Sequence, residues 1–321
     1  MTSSNLFIVT MHCTHLHDKF HVITVISNPV RYHSRYKLFK KFEKHMRDSG
    51  VVHLHVVEIQ QGNREFQITD KNNPYHIQLR TDDEIWIKEC ALNLAINRLT
   101  PMWKDWKYVA WIDADIEFTR KDWLEETLEE LQVSSWVQMF QTAIDLGPDE
   151  QALDTHKGFM YSYLNSLPEK NNYSSWHPGY AWAATREALN GVGLLIDGAI
   201  LGAGDRHMAM SLIGKGAASV HGKLHPDYKD MVMAWQDRAD MHVRRRVGYV
   251  KGNIIHYWHG RKRDRGYHDR WQILIKNQYS PYRHVYRDWQ GLWQFDLDAI
   301  ELRNDIKRYF RSRNEDSIDL I

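Results

Sequence analysis

Tyr108 to Ile112, Y-V-A-W-I, is an apolar run with β-branched and aromatic members that stops at once on two carboxylates, Asp113 and Asp115. Such a run reads as a short strand buried on both faces. If the extended geometry persists beyond it, the two carboxylates point the same way, and the small Ala114 between them leaves room for a ligand. Paired hard oxygen donors at the carboxyl end of a buried strand suit Mg²⁺ or Mn²⁺ carrying a diphosphate. The competing reading is a loop in which the two Asp residues only cap the helix after Thr119.

The sequence before this point has the form β-α-β. His21 to Ser27 is a β-branched run closed by Asn28-Pro29, Arg31 to Arg47 carries Leu38, Phe39, Phe42 and Met46 at helical spacing, and Val51 to Ile59 is the next strand. In open α/β sheets, ligands bind at the carboxyl edge, which makes Asn28, Arg31 and Tyr32 candidate nucleotide neighbours; taken singly, each also fits a plain turn. Thr81 to Glu84 looks like a cap with acids in the first turn of a helix over Ile85 to Leu99, ended by Pro101. On that helix Lys88 and Asn93 are candidates to reach a phosphate or base, with a Glu84–Lys88 surface pair as the alternative for Lys88.

Later segments are a helix over Lys121 to Leu131, a strand over Ser135 to Gln141, and a long irregular stretch from Thr142 to Ser175 with the character of a lid or insertion. Trp176, Tyr180 and Trp182 are candidate platforms for a sugar or base, or core packing. Gly202 and Gly204 permit close backbone approach, and Asp205 stands at the mouth of a helix over Arg206 to Ile213, as a base or as its cap. His207 reads as solvent-facing. Asn253 to Tyr257 is a strand leading to His256 and His259, either of which can offer an imidazole to a metal. Arg261 and Arg265 follow in the same loop, placed to clamp a diphosphate. His268 and Arg270 open a further helix, and Asp296 to Arg311 is a mixed-charge helix packing on the rest.

Charge is uneven. Arg238 to Arg287 holds 13 Lys/Arg against 3 Asp/Glu, a local +10 in a chain whose net charge is +1. Two cysteines, Cys13 and Cys90, exclude a disulfide framework. No apolar run approaches a membrane span and the start of the chain lacks a secretory pattern, so a cytoplasmic protein is expected.

Taken in order, these segments resemble GT-A type nucleotide-sugar glycosyltransferases, in layout the family 2 and family 7 enzymes, over about Val22 to Arg265. WIDADIEF is similar to the family's DxD element, WIKECALN to the helix before it, HPGYAWAATREAL and LGAGDRHM to the acceptor-side segment, and IIHYWHG to the late metal-binding histidine. The resemblance implies an α/β fold, a Rossmann-like, mixed and mostly parallel sheet flanked by helices. One catalytic domain would span residues 1–265, with a C-terminal helical extension over 266–321. It further implies Mn²⁺ or Mg²⁺ on Asp113, Asp115 and His256 or His259, and a UDP-sugar contacting Lys88, Asn93 and Asp113. Asp205 would be the base of an inverting transfer, although Gly204 stands where the family usually has Glu; a retaining route stays open. The chain is also similar to glycosyltransferases of tailed bacteriophages. With the basic region, that makes hydroxymethylated double-stranded DNA the expected acceptor. A surface glycan is the alternative acceptor, and a metal-dependent nuclease or DNA-binding protein the alternative class.

Overall fold

The computed structural model of the protein describes residues 17–169, 175–266 and 269–320; the expectations for Cys13, His268 and the Asn/Ser-rich stretch around Asn171 lie outside them. In chain order the elements are β1 (Phe20–Ser27), α1 (His33–Asp48), β2 (His53–Gln61), β3 (His76–Thr81), α2 (Lys88–Met102), β4 (Tyr108–Ile112), β5 (Ile116–Phe118), α3 (Trp123–Glu130), β6 (Trp136–Gln138), β7 (Thr142–Leu146) and β8 (Ala152–Lys157). They continue with α4 (Phe159–Leu164), β9 (Ala181–Thr185), α5 (Arg186–Val192), α6 (Gly204–Leu212), α7 (Gly216–Ser219), α8 (Pro226–His242), β10 (Val247–Tyr249) and β11 (Asn253–His256). A 3₁₀ turn (Lys262–Arg265), α9 (Arg270–Lys276), β12 (Val285–Arg287), β13 (Trp293–Phe295) and α10 (Ile300–Ser312) complete the chain.

Seven strands form the central sheet in the order β10-β6-β9-β4-β1-β2-β3. β9 runs antiparallel to both β4 and β6, while the pairs β4–β1, β1–β2, β2–β3 and β6–β10 are parallel. The fold is therefore mixed α/β, with a mostly parallel central sheet between helices. All five residues of β4 are buried, and their alternation explains why the run is continuously apolar. Val109 and Trp111 enter a core shared with α2, α5, α6 and α8. Tyr108, Ala110 and Ile112 enter a second core with Phe42 and Met46 of α1 and Trp123, Leu124 and Leu128 of α3. No helix among the described residues is long and apolar enough to cross a membrane.

Two local expectations are corrected. Thr81 to Glu84 does not cap α2, which starts at Lys88 after Ile87. Instead, Asp83 accepts the Phe295 amide at 2.8 Å and pairs with Arg303, and Glu84 pairs with Arg311, so these acids anchor the C-terminal elements. Residues 142–169 are not a long loop: they contain β7, β8 and α4. β7 and β8 join a second sheet, ordered β5-β11-β7-β8, and neither carries the strict apolar alternation that betrays a half-buried strand.

Candidate active site

The Asp113–Asp115 turn is the hinge between the two sheets, since β4 of the first ends at Ile112 and β5 of the second begins at Ile116. In the second sheet His256 is paired with Ile116 on one side and with Asp145 on the other. Strand register thus lines up the Asp115 turn, His256 and Asp145 at neighbouring positions. His259 follows one turn later, and its Nε2 lies 3.1 Å from Asp115 Oδ2 and 3.1 Å from His256 Nε2. The ligand atoms of Asp115, His256 and His259 all fall within 4.8 Å of one another.

Asp115 Oδ1 is buried and has no hydrogen-bond partner among the described residues. A buried, unpartnered carboxylate oxygen is costly unless something else satisfies it. The other oxygen, Oδ2, lies 3.1 Å from His259 Nε2 and 3.9 Å from His256 Nε2, and one carboxylate beside two imidazoles fits a divalent cation. Burial opposes ionisation of Asp115, but the His259 hydrogen bond and the electrostatic pull of its surroundings, Arg35 included, outweigh it and hold the carboxyl below its ordinary range. Burial, with Arg265 beside it, lowers His259 to about 4 against the pull of Asp115, so the ring is neutral and able to ligate.

Behind this set stands a layer of orienting groups. His256 Nδ1 is 2.9 Å from Asp145 Oδ1, which leaves Nε2 for a metal. Asp145 also accepts from the Tyr180 hydroxyl at 2.9 Å, binds His156 Nε2 at 2.8 Å, and pairs with Lys262. Burial again opposes its charge, and these partners outweigh it and keep Asp145 ionised well below the usual range. Asp145, Asp154 and His156 form a second cluster of potential ligands, but the Lys262 ammonium sits among them, 2.8 Å from His156 Nε2 and 3.4 Å from Asp154. A resident cation already serves there.

Asp113 faces away from the histidines. Its Oδ1 accepts from Lys88 Nζ at 2.9 Å, and its amide donates to the Tyr180 carbonyl at 2.9 Å. Burial disfavours the Lys88 charge, yet Asp113, Glu89 and Asp205 together raise its pKa and keep it protonated. Asp205 sits half-buried in the first turn of α6. A Cβ on Gly179 would stand 3.2 Å from Asp205 Oδ2, so the glycine admits this carboxylate to the floor of the site. Neighbouring Tyr180 (φ 81°) and Ala203 (φ 78°) hold left-handed backbone that disfavours side chains, strain of about 1–3 kcal/mol each.

Several expected site residues are occupied elsewhere. Asn28 is buried and closes its own loop, accepting from the Tyr32 amide at 2.9 Å and donating to the Tyr32 carbonyl at 2.8 Å. Arg31 is exposed, with φ 67°. Asn93 clamps the segment after α5, donating to the Leu195 carbonyl and to Asp197 and accepting from the Leu195 amide. Arg261 pairs with Asp264 at 2.8 Å, whereas Arg265 Nη2 reaches His259 Nε2 at 3.0 Å. Trp182 is 4% exposed inside the sheet and donates to the Pro178 carbonyl; Trp176 packs edge-on against Phe159. Trp182 is thereby part of the core, and Trp176 is half-buried. Tyr180 is buried too, stacked on His177 at 4.3 Å and serving Asp145. His207 is fully buried between Ser219 and Tyr228, not solvent-facing.

Three residues not singled out in the sequence belong to the site. Asp145 orients His256, and Glu315, 2% exposed, approaches His259 Nδ1 at 3.9 Å. Glu89 lies under Gly204, where a Cβ would stand 3.1 Å from its carboxyl carbon, and accepts from the Trp86 indole at 3.1 Å. Burial, opposed by Lys88 and reinforced by Asp205, pushes Glu89 up to about 7. Helical neighbours on a buried stripe carry no mark of function; only the preceding Lys88 gave a cue.

No protein-family model matches the chain, and no curated protein matches it in sequence. Among solved structures it is similar to the catalytic domain of Drosophila β1,4-galactosyltransferase 7 in complex with xylobiose, at 12% identity and a TM-score of 0.35 over 61% of each chain. It is likewise similar to a mutant of that enzyme in complex with manganese, UDP-Gal and xylobiose, at 12% identity and a TM-score of 0.35, covering 61% of this chain and 62% of that one. The chain thus spans about three fifths of the length of those galactosyltransferase structures. A protein from Desulfovibrio desulfuricans G20 assigned as a nucleotide-diphospho-sugar transferase is similar over 92% of this chain and 98% of its own, at 11% identity and a TM-score of 0.31.

Proposed function

We propose that this protein is a metal-dependent glycosyltransferase that moves a sugar from a nucleoside diphosphate sugar, a UDP-sugar in the first instance, to a hydroxyl acceptor. The observation that carries the reading is the convergence of Asp115, His256 and His259 at the carboxyl edge of the central sheet, with the second Asp115 oxygen buried and without a partner among the described residues. Two imidazoles beside one carboxylate favour Mn²⁺ over Mg²⁺, which prefers oxygen donors throughout. When bound, such an ion supplies positive charge to the departing diphosphate.

Lys88, held protonated by three carboxylates, and Arg265 beside His259 are the cations placed to meet the same leaving group. Asp205 is the base of this scheme. Its carboxylate takes the proton of the acceptor hydroxyl as that oxygen bonds to the anomeric carbon and the carbon–diphosphate oxygen bond breaks, inverting the centre. Asp113 serves by fixing Lys88 and is set aside as a metal ligand.

For the acceptor, the case for double-stranded DNA weakens. The basic region is not one surface: Lys262 is spent on Asp145, Lys276 on Asp305 and Arg287 on Asp197. Arg244 to Arg246 precede β10, at the amino edge of the sheet, opposite the site. A smaller hydroxyl acceptor such as a glycan fits this distribution better. A panel of UDP-, GDP-, CDP- and dTDP-sugars with Mn²⁺, read by thermal shift and slow donor hydrolysis, tests the reading. One nucleotide sugar should stabilise the protein and Asp115→Ala should abolish the response; silence across the panel would rule the transferase out. Acceptor binding that falls steeply with salt would restore DNA.

A further inference from the structure

The segment after α10 returns across the molecule to the site. Trp258 donates its indole N–H to the Ser317 carbonyl at 2.7 Å, and a Cβ on Gly260 would stand 2.8 Å from both the Asn314 carbonyl oxygen and Glu315 Cα. Asp316 accepts the His33 and Ser34 amides at 2.9 and 2.8 Å, capping α1 from 283 and 282 positions away in the chain. The strap is thus fastened both to the loop that carries His259 and to the start of the helix that carries Arg35.

Its Glu315 is the buried centre of this fastening. Arg35 grips it through Nε–Oε2 at 2.5 Å and Nη2–Oε1 at 2.7 Å, and Arg313 Nε lies 2.8 Å from Oε1. On its other side Oε2 stands 3.9 Å from His259 Nδ1, the ring nitrogen turned away from Asp115. The Asp115 carboxylate and the Arg35 guanidinium act on each other electrostatically. A guanidinium released from Glu315 would have that carboxylate, a candidate metal ligand, to turn to.

We propose that Glu315 is a positioning residue of the metal site: by occupying Arg35 it keeps that guanidinium off Asp115, while its backbone, seated against Gly260, steadies the loop that carries His259. Asp145 orients His256 more directly, through its 2.9 Å contact with Nδ1. The inference rests on the metal-site reading above, and the test separates the two.

Mn²⁺ alone, titrated into the wild-type protein by calorimetry without sugar nucleotide, sets the reference. Glu315→Gln should weaken Mn²⁺ binding about 10- to 100-fold, and the double variant Arg35→Gln/Glu315→Gln should recover most of that loss, which a merely structural role would not allow. Mn²⁺ affinity of Glu315→Gln within about twofold of wild type would overturn the proposal. Should that variant fail to fold, amide exchange of the wild-type protein decides: Mn²⁺ should slow exchange at residues 314–317, and unchanged exchange there would equally overturn it. If Asp115→Ala itself binds Mn²⁺ like wild type, the metal site is wrong; if Asp115→Ala loses the ion while Glu315→Gln keeps it, only the role of Glu315 falls.

Discussion

Two groups of buried histidines sit at opposite edges of the protein's sheets, and they differ in what surrounds them. At the carboxyl edge His256 and His259 converge on Asp115, with Asp145 and Glu315 behind the rings. Toward the amino edge, His21 of β1 contacts His55 of β2 at 2.8 Å and stacks on His53 at 4.4 Å, while Trp103 and Tyr75 close in as aromatic neighbours. His256 and His259 in the first group and His21 and His55 in the second are buried, while His53 is half-buried. Carboxylates make the first a candidate ligand set, whereas rings around the second leave it a neutral, polar patch of core. Burial, with neighbouring histidines adding to it, lowers His21 to about 3 and His55 to about 2.

The contrast can be broken most directly by Asp115→Ala. Mn²⁺ binding, read by calorimetry or by the ion's effect on Tm, should fall about 100-fold or more, while His55→Leu leaves it unchanged. A metal response that follows His55 instead would reverse the assignment. Next comes Asp145→Asn, which removes the negative charge behind His256 and should weaken Mn²⁺ by about 10- to 100-fold with little change in secondary structure by circular dichroism.

Acid should reveal the amino-edge group through stability. Because the folded-state pKa values of His21 and His55 lie far below 6.5, the unfolded chain binds more protons between about pH 6.5 and 3. Stability is fully present above pH 6.5 and is lost as pH falls, by about 1.4 kcal/mol per unit for each ring at most. Urea unfolding at pH 7, 6 and 5 measures the slope, and His55→Leu should flatten it; an unchanged slope would mean that other buried histidines, such as His177 and His207, both about 3 through burial first, carry it. The smallest effect is expected from Asn93→Ala, which strips partners from the buried Leu195 amide and carbonyl. A loss of about 1 kcal/mol in urea unfolding with unaltered Mn²⁺ affinity would mark Asn93 as scaffold.

These regions were not equally readable before the structure. β4 and the carboxylates after it stood out because a strand buried on both faces is apolar throughout, and the abrupt change to Asp cannot be core. Asp145 was hidden because β7 belongs to a small polar sheet without a clear period, and its partner His256 lies 111 positions on. Glu315 was hidden because buried and exposed acids look alike in a charged tail; only Arg35 and Arg313 distinguish it. The run of cations misled for a related reason: closeness along the chain put Arg244 and Lys262 together, and the sheet separates them.

The placement of β9 bears on synthesis. Both strands that flank it precede it, and β6, the later of the two, ends 43 positions before β9 begins, at Gln138 and Ala181. At the usual 5–20 residues per second, a nascent chain holds a gap in the sheet for roughly 2 to 9 s, bordered by two open, apolar strand edges. Slower translation over that interval would lengthen exposure to aggregation, and faster translation would shorten it.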